Sequence, residues 1–139
     1  MRLQLALNVS DLAKAVDFYT RLFDVEPAKL KPGYANFVVA DPPLKLVLFE
    51  GQGEGGTLNH LGVEAEATQE VVAAEARLSA AELATTGVTD AQCCYASKTE
   101  TWLTGPDGIH WEWYVKTADS DQFDTVVTPT GGGSGCCAS

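Results

Sequence analysis

The chain has 139 residues, and none of its apolar runs approaches the roughly 20 residues needed to cross a bilayer, so no segment reads as a membrane-spanning helix. Cations are scarce: nine Lys and Arg stand against nineteen Asp and Glu, a formal charge of −10. Nucleic-acid binding depends on clustered cations that neutralise phosphates, and no such stripe is present, so small molecules or cations are the expected partners. Histidine occurs only at His60 and His110, which leaves few candidates for an imidazole-based site. The four cysteines are not spaced as a disulfide framework requires, because all fall in adjacent pairs, Cys93-Cys94 and Cys136-Cys137. Met1 to Val9 runs straight into an alternating apolar stretch without the pattern of a secretory leader. The expectation is a cytoplasmic chain whose reduced thiols are open to a soft ligand.

With 45% hydrophobic and 20% charged residues the composition suits one folded domain with a real core. Leu3, Leu5 and Leu7 alternate with Gln4, Ala6 and Asn8, which predicts a first strand. Ser10 or Asp11 offers an N-cap, and Leu12, Val16, Tyr19, Leu22 and Phe23 recur at helical spacing. Tyr34 to Val39 and Leu44 to Phe49 predict strands, closed by Glu50 and followed by a glycine-rich connector from Gly51 to Gly56.

The order of elements then restarts. His60-Leu61-Gly62-Val63 echoes Gln4-Leu5-Ala6-Leu7, a helix is predicted from about Thr68 to Ala84, and strands are predicted at Thr101 to Thr104 and Ile109 to Val115. Gly105-Pro106-Asp107-Gly108 supplies a tight turn between the last two. The fold class is α+β: two βαβββ modules, about 1–52 and 57–116, forming one domain over 1–116. Residues 117–139, rich in Gly, Ser and Thr, are expected to be a flexible tail.

Superposing the modules aligns Gln4 with His60 and Phe49-Glu50 with Trp111-Glu112. A neutral imidazole, an amide and a carboxylate on an otherwise apolar strand make a donor set for a transition metal, with coordination positions left over. His110 competes with Glu112, since residues two apart share a strand face, and Glu50 competes as the repeat partner of Glu112. Adjacent thiols suit a thiophilic atom, but neighbours on a regular strand point to opposite faces. Both Cys93 and Cys94 can therefore grip one atom only where the backbone is distorted, and Gly87 to Gln92 reads as the loop that brings them round. Cys136 and Cys137 have the same composition on the tail, where a passive or accessory role is expected.

On the duplicated module and the run from Gly105-Pro106-Asp107-Gly108 to Glu112, residues Met1 to Val115 resemble the vicinal oxygen chelate superfamily of glyoxalase I, bleomycin-resistance proteins and extradiol dioxygenases. Gln4, His60, Glu112 and the Cys93-Cys94 pair resemble, within it, the carbon–arsenic lyases often named cadmium-inducible proteins. That resemblance implies a metal groove in which Gln4, His60 and Glu112 are the catalytic ligands of Fe(II), with Gln4 in place of one histidine of a two-histidine-one-carboxylate site. It implies that Cys93 and Cys94 bind a trivalent organoarsenical, that molecular oxygen is consumed and that arsenite is released. The protein would act as a monomer or homodimer in detoxification. Two alternatives remain open: non-catalytic sequestration of cadmium, arsenite or a drug, and an oxygen-independent isomerase that uses Glu50 as a ligand.

Overall fold

The computed structural model describes residues 1–120 and the backbone of Val126–Val127. The chain divides into two compact units, Arg2–Leu61 and Gly62 onward, the latter joined by Met1.

The first unit contains strand β1 (Arg2–Val9), helix α1 (Leu12–Phe23) and strands β2 (Lys29–Lys31), β3 (Tyr34–Val39) and β4 (Leu44–Glu50), and ends within β5 (Leu58–Glu64). β1 runs parallel to β4, with Leu3 opposite Leu44 and Val9 opposite Glu50. Such a pair needs a long crossover, which α1 and the following hairpin provide. β3 pairs antiparallel with both β2 and β4.

Helix α1 starts at Asp11, whose Oδ1 accepts from the Lys14 amide at 3.1 Å. Its apolar stripe, Leu12, Ala15, Val16, Tyr19 and Phe23, packs on Leu5, Leu7, Phe37, Leu46 and Leu48. Phe37 and Leu48 are wholly withdrawn from water, a contribution of about 1.5–3 kcal/mol for each such side chain. The alternation read from Leu3, Leu5 and Leu7 is therefore that of a strand with one face under a helix.

The second unit continues β5 and adds helix α2 (Thr68–Ala80), β6 (Thr89–Cys93), β7 (Ala96–Thr104), β8 (His110–Asp119) and a two-residue strand, β9 (Val126–Val127). β7 is flanked antiparallel by β6 and β8, and β9 pairs with the outer side of β6. Glu70 Oε1 accepts from the backbone amides of Glu66 and Ala67 at the start of α2. Val71 of α2 belongs to the buried cluster of Ala65 and Val115, against which Trp113 packs.

The sequence and the structure part in three places. Helix α2 stops at Ala80, not Ala84, because Glu82 adopts φ 63° and the amides of Glu82 and Leu83 return to the carbonyls of Ser79 and Leu78 in a Schellman turn. The segment read as a loop before the cysteines is largely strand β6, and β7 begins at Ala96, five positions before Thr101. Both strands carry polar residues on both faces, so no hydrophobic alternation advertises them. Finally, β8 runs on through Asp119, beyond the expected start of the tail. The rest of the expected tail, Cys136 and Cys137 included, lies outside the described residues apart from the β9 backbone.

The turn at Gly105–Gly108 is as predicted: one 3₁₀ turn, with Asp107 and Gly108 at positive φ and the Gly105 amide bonded to the Ile109 carbonyl at 2.7 Å. The order β1–α1–β2–β3–β4 repeats as β5–α2–β6–β7–β8, so the α+β class and the repeated order both hold, with β9 as an addition.

Candidate functional site

Residues opposite one another in a ladder share a face. In the first unit, the face turned away from α1 carries Gln4 opposite Lys45, Asn8 opposite Phe49, and Asn36 opposite Val47. Gln4, Asn8, Asn36 and Lys45 are all buried, as are Asn59 and His60 on β5. Buried amides must be paired: Asn36 Nδ2 donates to the Tyr34 hydroxyl at 3.0 Å, and Gln4, Asn8 and Asn59 are linked through one another and His60. Gln4 Nε2 lies 3.0 Å from His60 Nε2, His60 Nδ1 lies 2.8 Å from Asn59 Oδ1, and Asn59 Nδ2 donates to Asn8 Oδ1 at 3.0 Å. The Phe49 ring lies 6.2 Å from the His60 ring. The repeat match of Gln4 with His60 thus corresponds to a direct side-chain contact.

Glu50 does not join this face. It sits opposite Val9, on the helix side of the sheet, and its Oε2 accepts from the Leu12 amide at 2.6 Å. The position of β4 that shares a face with Gln4 and Asn8 is held by Phe49, so the first unit offers no carboxylate there from β4. A carboxylate at the N-terminus of α1 is favourable in its own right, through the unpaired amides and the helix dipole.

In the second unit, the face away from α2 carries Glu112 opposite Trp102, Tyr114 opposite Glu100 and, on the outer ladder, Cys93 opposite Ala96 and Ala91 opposite Lys98. Glu112 Oε1 lies 3.0 Å from Lys98 Nζ, with only 8% of the Lys98 side chain and none of the Glu112 side chain exposed. Lys98 Nζ also sits 4.7 Å from the centre of the Tyr114 ring. Glu100, 4% exposed, is the second carboxyl of the cluster. Burial, and then the charge of Glu112, push its pKa up to about 8, against the pull of Lys98. It is therefore protonated near neutral pH and hydrogen-bonds Glu112, while its Oε2 has no hydrogen-bond partner. His110, also on the Glu112 face by alternation, sits by the turn and bonds Thr104 Oγ1 at 3.0 Å.

Cys93 closes β6 and pairs with Ala96, so Cys94 and Tyr95 are the two central residues of a hairpin. Both have positive φ, 50° and 60°, the mark of a type I′ turn, which ordinarily selects Asn and Gly. The distortion that two adjacent sulfurs require is present, but it lies at and after Cys94 and not in the segment before Cys93. Cys93 shares a face with Lys98, Glu100 and Glu112. Both cysteines are buried, and both are disulfide-bonded, contrary to the expectation of free thiols. A sequence does not encode this state, because thiol and disulfide interconvert with the ambient reduction potential.

Among the described residues, no three His, Cys, Asp or Glu side chains gather as a metal cluster. An imidazole, a neutral amide and a carboxylate are donor types that a divalent transition metal accepts. His60 Nδ1 faces Asn59 Oδ1 and its Nε2 faces the neutral amide of Gln4; an imidazole protonated on Nδ1 can ligate through Nε2. Glu112 is a carboxylate stripped of water and held by Lys98. Sequence reading missed Lys98 and Glu100, for which the signal was a Lys-x-Glu-x-Trp alternation on one strand. It also missed Asn8 and Asn59, amides in the interior of two strands.

Residues 3–113 match the sequence profile of the Glyoxalase/Bleomycin resistance protein/Dioxygenase superfamily. The chain belongs to this superfamily. Within it, the chain is 54% identical over 98% of its length to the cadmium-induced protein CadI of Mycobacterium tuberculosis, covering 92% of that protein. It is 49% identical to a trivalent organoarsenical cleaving enzyme of Thermomonospora curvata, over 96% of this chain and 92% of the other. A second enzyme of that name, from a Bacillus species, is 40% identical over 80% of this chain and 71% of its own. The Mn(II)-bound glyoxalase of Novosphingobium aromaticivorans shares the superfamily fold at 17% identity, with a TM-score of 0.60 over 87% of this chain and 40% of that one. No helix among the described residues is long and apolar enough to cross a membrane.

Proposed function

We propose that this chain is an Fe(II)- and oxygen-dependent enzyme that cleaves the carbon–arsenic bond of trivalent organoarsenicals and releases arsenite. The observation that carries the reading is the Cys93-Cys94 hairpin, two adjacent sulfurs at a left-handed turn, on a sheet whose same face holds Glu112. The likeness to proteins named as trivalent organoarsenical cleaving enzymes supports the substrate class.

In this reading an external dithiol first reduces the disulfide-bonded cysteines by thiol–disulfide exchange, itself leaving as a disulfide, and the two sulfurs then replace the labile ligands of As(III), which depart with the sulfur protons. Gln4, His60 and Glu112 would hold Fe(II), which supplies a centre for oxygen activation. Asn59 keeps the His60 proton on Nδ1, and Lys98 keeps the Glu112 carboxylate oriented. Glu100 holds a proton on its carboxyl beside Glu112, and the buried Tyr114 helps to exclude water from that face.

The test is an assay of the reduced, Fe(II)-loaded chain with a methyl- and an aryl-substituted trivalent arsenical, with and without oxygen. Oxygen uptake matched by arsenite release is the expected result. Tight arsenical binding with neither would favour sequestration, the reading that uses the same sulfurs without chemistry.

A further inference from the structure

The glycine-rich connector does more than join two strands. Thr57 Oγ1 lies 2.5 Å from the backbone carbonyl of Glu54. A carbonyl can only accept, so the Thr57 hydroxyl spends its one proton there and must accept from Asn8, whose near atom at 3.0 Å is therefore Nδ2. That fixes the orientation of the Asn8 amide and presents Oδ1 to Asn59, whose near atom at 3.0 Å must then be Nδ2. Asn59 Oδ1 consequently faces His60 Nδ1 at 2.8 Å and requires a proton on it. The lone pair is left on His60 Nε2, where Gln4 donates its amide at 3.0 Å. A single backbone carbonyl, passed through three side chains, thus sets the tautomer of His60.

The connector also fixes the middle of this chain sterically. A Cβ added at Gly53 would meet Asn8 Nδ2 at 2.6 Å, closer than real Cβ atoms approach, and Asn8 Cγ at a tight 3.0 Å. The backbone on either side is tied down as well, since the Asn8 amide bonds the Thr57 carbonyl and the Gly56 amide bonds the Asn8 carbonyl, both at 2.9 Å. All of these groups belong to the unit Arg2–Leu61.

We infer that Asn59 and Asn8, clamped by Gly53 and Thr57, are positioning residues that lock His60 in its Nδ1-protonated tautomer and so prime Nε2 to ligate a metal. The metal half of this inference rests on the reading of His60 as a ligand; the tautomer half does not. Outer partners of ligating histidines typically govern metal affinity by 10–100-fold, so loss of this one is expected to weaken Fe(II) binding by at least about tenfold.

The test uses the full chain. Imidazole nitrogen chemical shifts of the metal-free protein, at about pH 8 where ordinary imidazole is neutral, report the tautomer directly. Anaerobic Fe(II) titration reports affinity. Wild type is expected to show protonated Nδ1 and bare Nε2. Asn59→Leu is expected to lose that preference and bind Fe(II) at least about tenfold more weakly. Asn59→Asp still offers an acceptor to Nδ1–H and is expected to restore the tautomer and most of the affinity. Gly53→Ala, which displaces Asn8 without touching His60, is expected to shift the nitrogen signals in the direction of Asn59→Leu. Should Asn59→Leu misfold, Gly53→Ala and Asn59→Asp decide the matter. Protonated Nε2 in wild type, or a folded Asn59→Leu with unchanged tautomer and affinity, overturns the proposal. If instead the tautomer responds as expected but His60→Ala binds Fe(II) like wild type, the ligand reading of His60 falls and the tautomer lock stands.

Discussion

Lys98 Nζ and Glu112 Oε1 meet at 3.0 Å in a place where neither side chain has appreciable contact with water. A pair of this kind offsets the desolvation of both ions only while it is intact; removing one partner strands the other. Lys98→Met should therefore lower the stability of the metal-free chain by about 3 kcal/mol. Lys98→Met with Glu112→Gln should recover most of the loss. Urea unfolding of the two variants beside wild type checks this, and equal losses in both would remove the pair from the account of stability.

Glu100 gives the same cluster a pH dependence. Burial, then the charge of Glu112, raise its pKa from 4.5 to about 8 in the folded chain. Between those values the folded chain keeps a proton that the unfolded chain has released. Stability should accordingly fall as pH rises from about 4.5 toward about 8 and level off above that. Glu100→Gln is neutral at every pH, and its unfolding free energy should lose this slope. Parallel pH profiles for variant and wild type would show that Glu100 is not the group responsible.

Glu50 and His110, the rival ligands, are expected to leave the metal alone. Glu50 caps α1 through the Leu12 amide, so Glu50→Ala should cost about 1 kcal/mol of stability with Fe(II) stoichiometry unchanged. His110→Ala should likewise retain Fe(II), since its contact is with Thr104 beside the turn. Metal analysis after anaerobic loading decides both, and loss of iron in either variant would return that residue to the ligand set.

The cysteine hairpin yields a separate expectation for each of its parts. Cys93→Ser or Cys94→Ser, assayed after reduction, should lose binding of a trivalent arsenical and keep Fe(II). Tyr95→Gly should stabilise the fold by up to about 1 kcal/mol, because glycine adopts φ near 60° without the clash that a Cβ brings. Removal of Cys136 and Cys137 is best made by truncation after Val127, which spares β8 and the β9 backbone paired with β6. That truncated, reduced chain should turn over normally. Loss of turnover there, with normal Cys93 and Cys94 variants, would put the essential thiols at the C-terminal end.

From the sequence by itself came the repeated order of elements, because Leu3, Leu5 and Leu7 and the helical spacing of Leu12, Val16, Tyr19 and Phe23 each bury one side of a regular element, and burial is written in hydrophobic period. The match of Gln4 to His60 and the singularity of Glu112 among aromatics were legible for a related reason: a polar residue in an apolar run needs a partner. β6 and the start of β7 were not legible, since strands polar on both faces have no such period. Nor could alternation tell Glu50 from Phe49. Which of two neighbours faces Gln4 is set by the ladder register of β1 on β4, a pairing across about forty residues. Only the tertiary structure joined Lys98 to Glu112, put the backbone distortion at Cys94 and Tyr95, and gave the amides from Thr57 to His60 one direction. Those depend on which donors and acceptors meet once distant strands are paired, and a linear sequence carries no record of that.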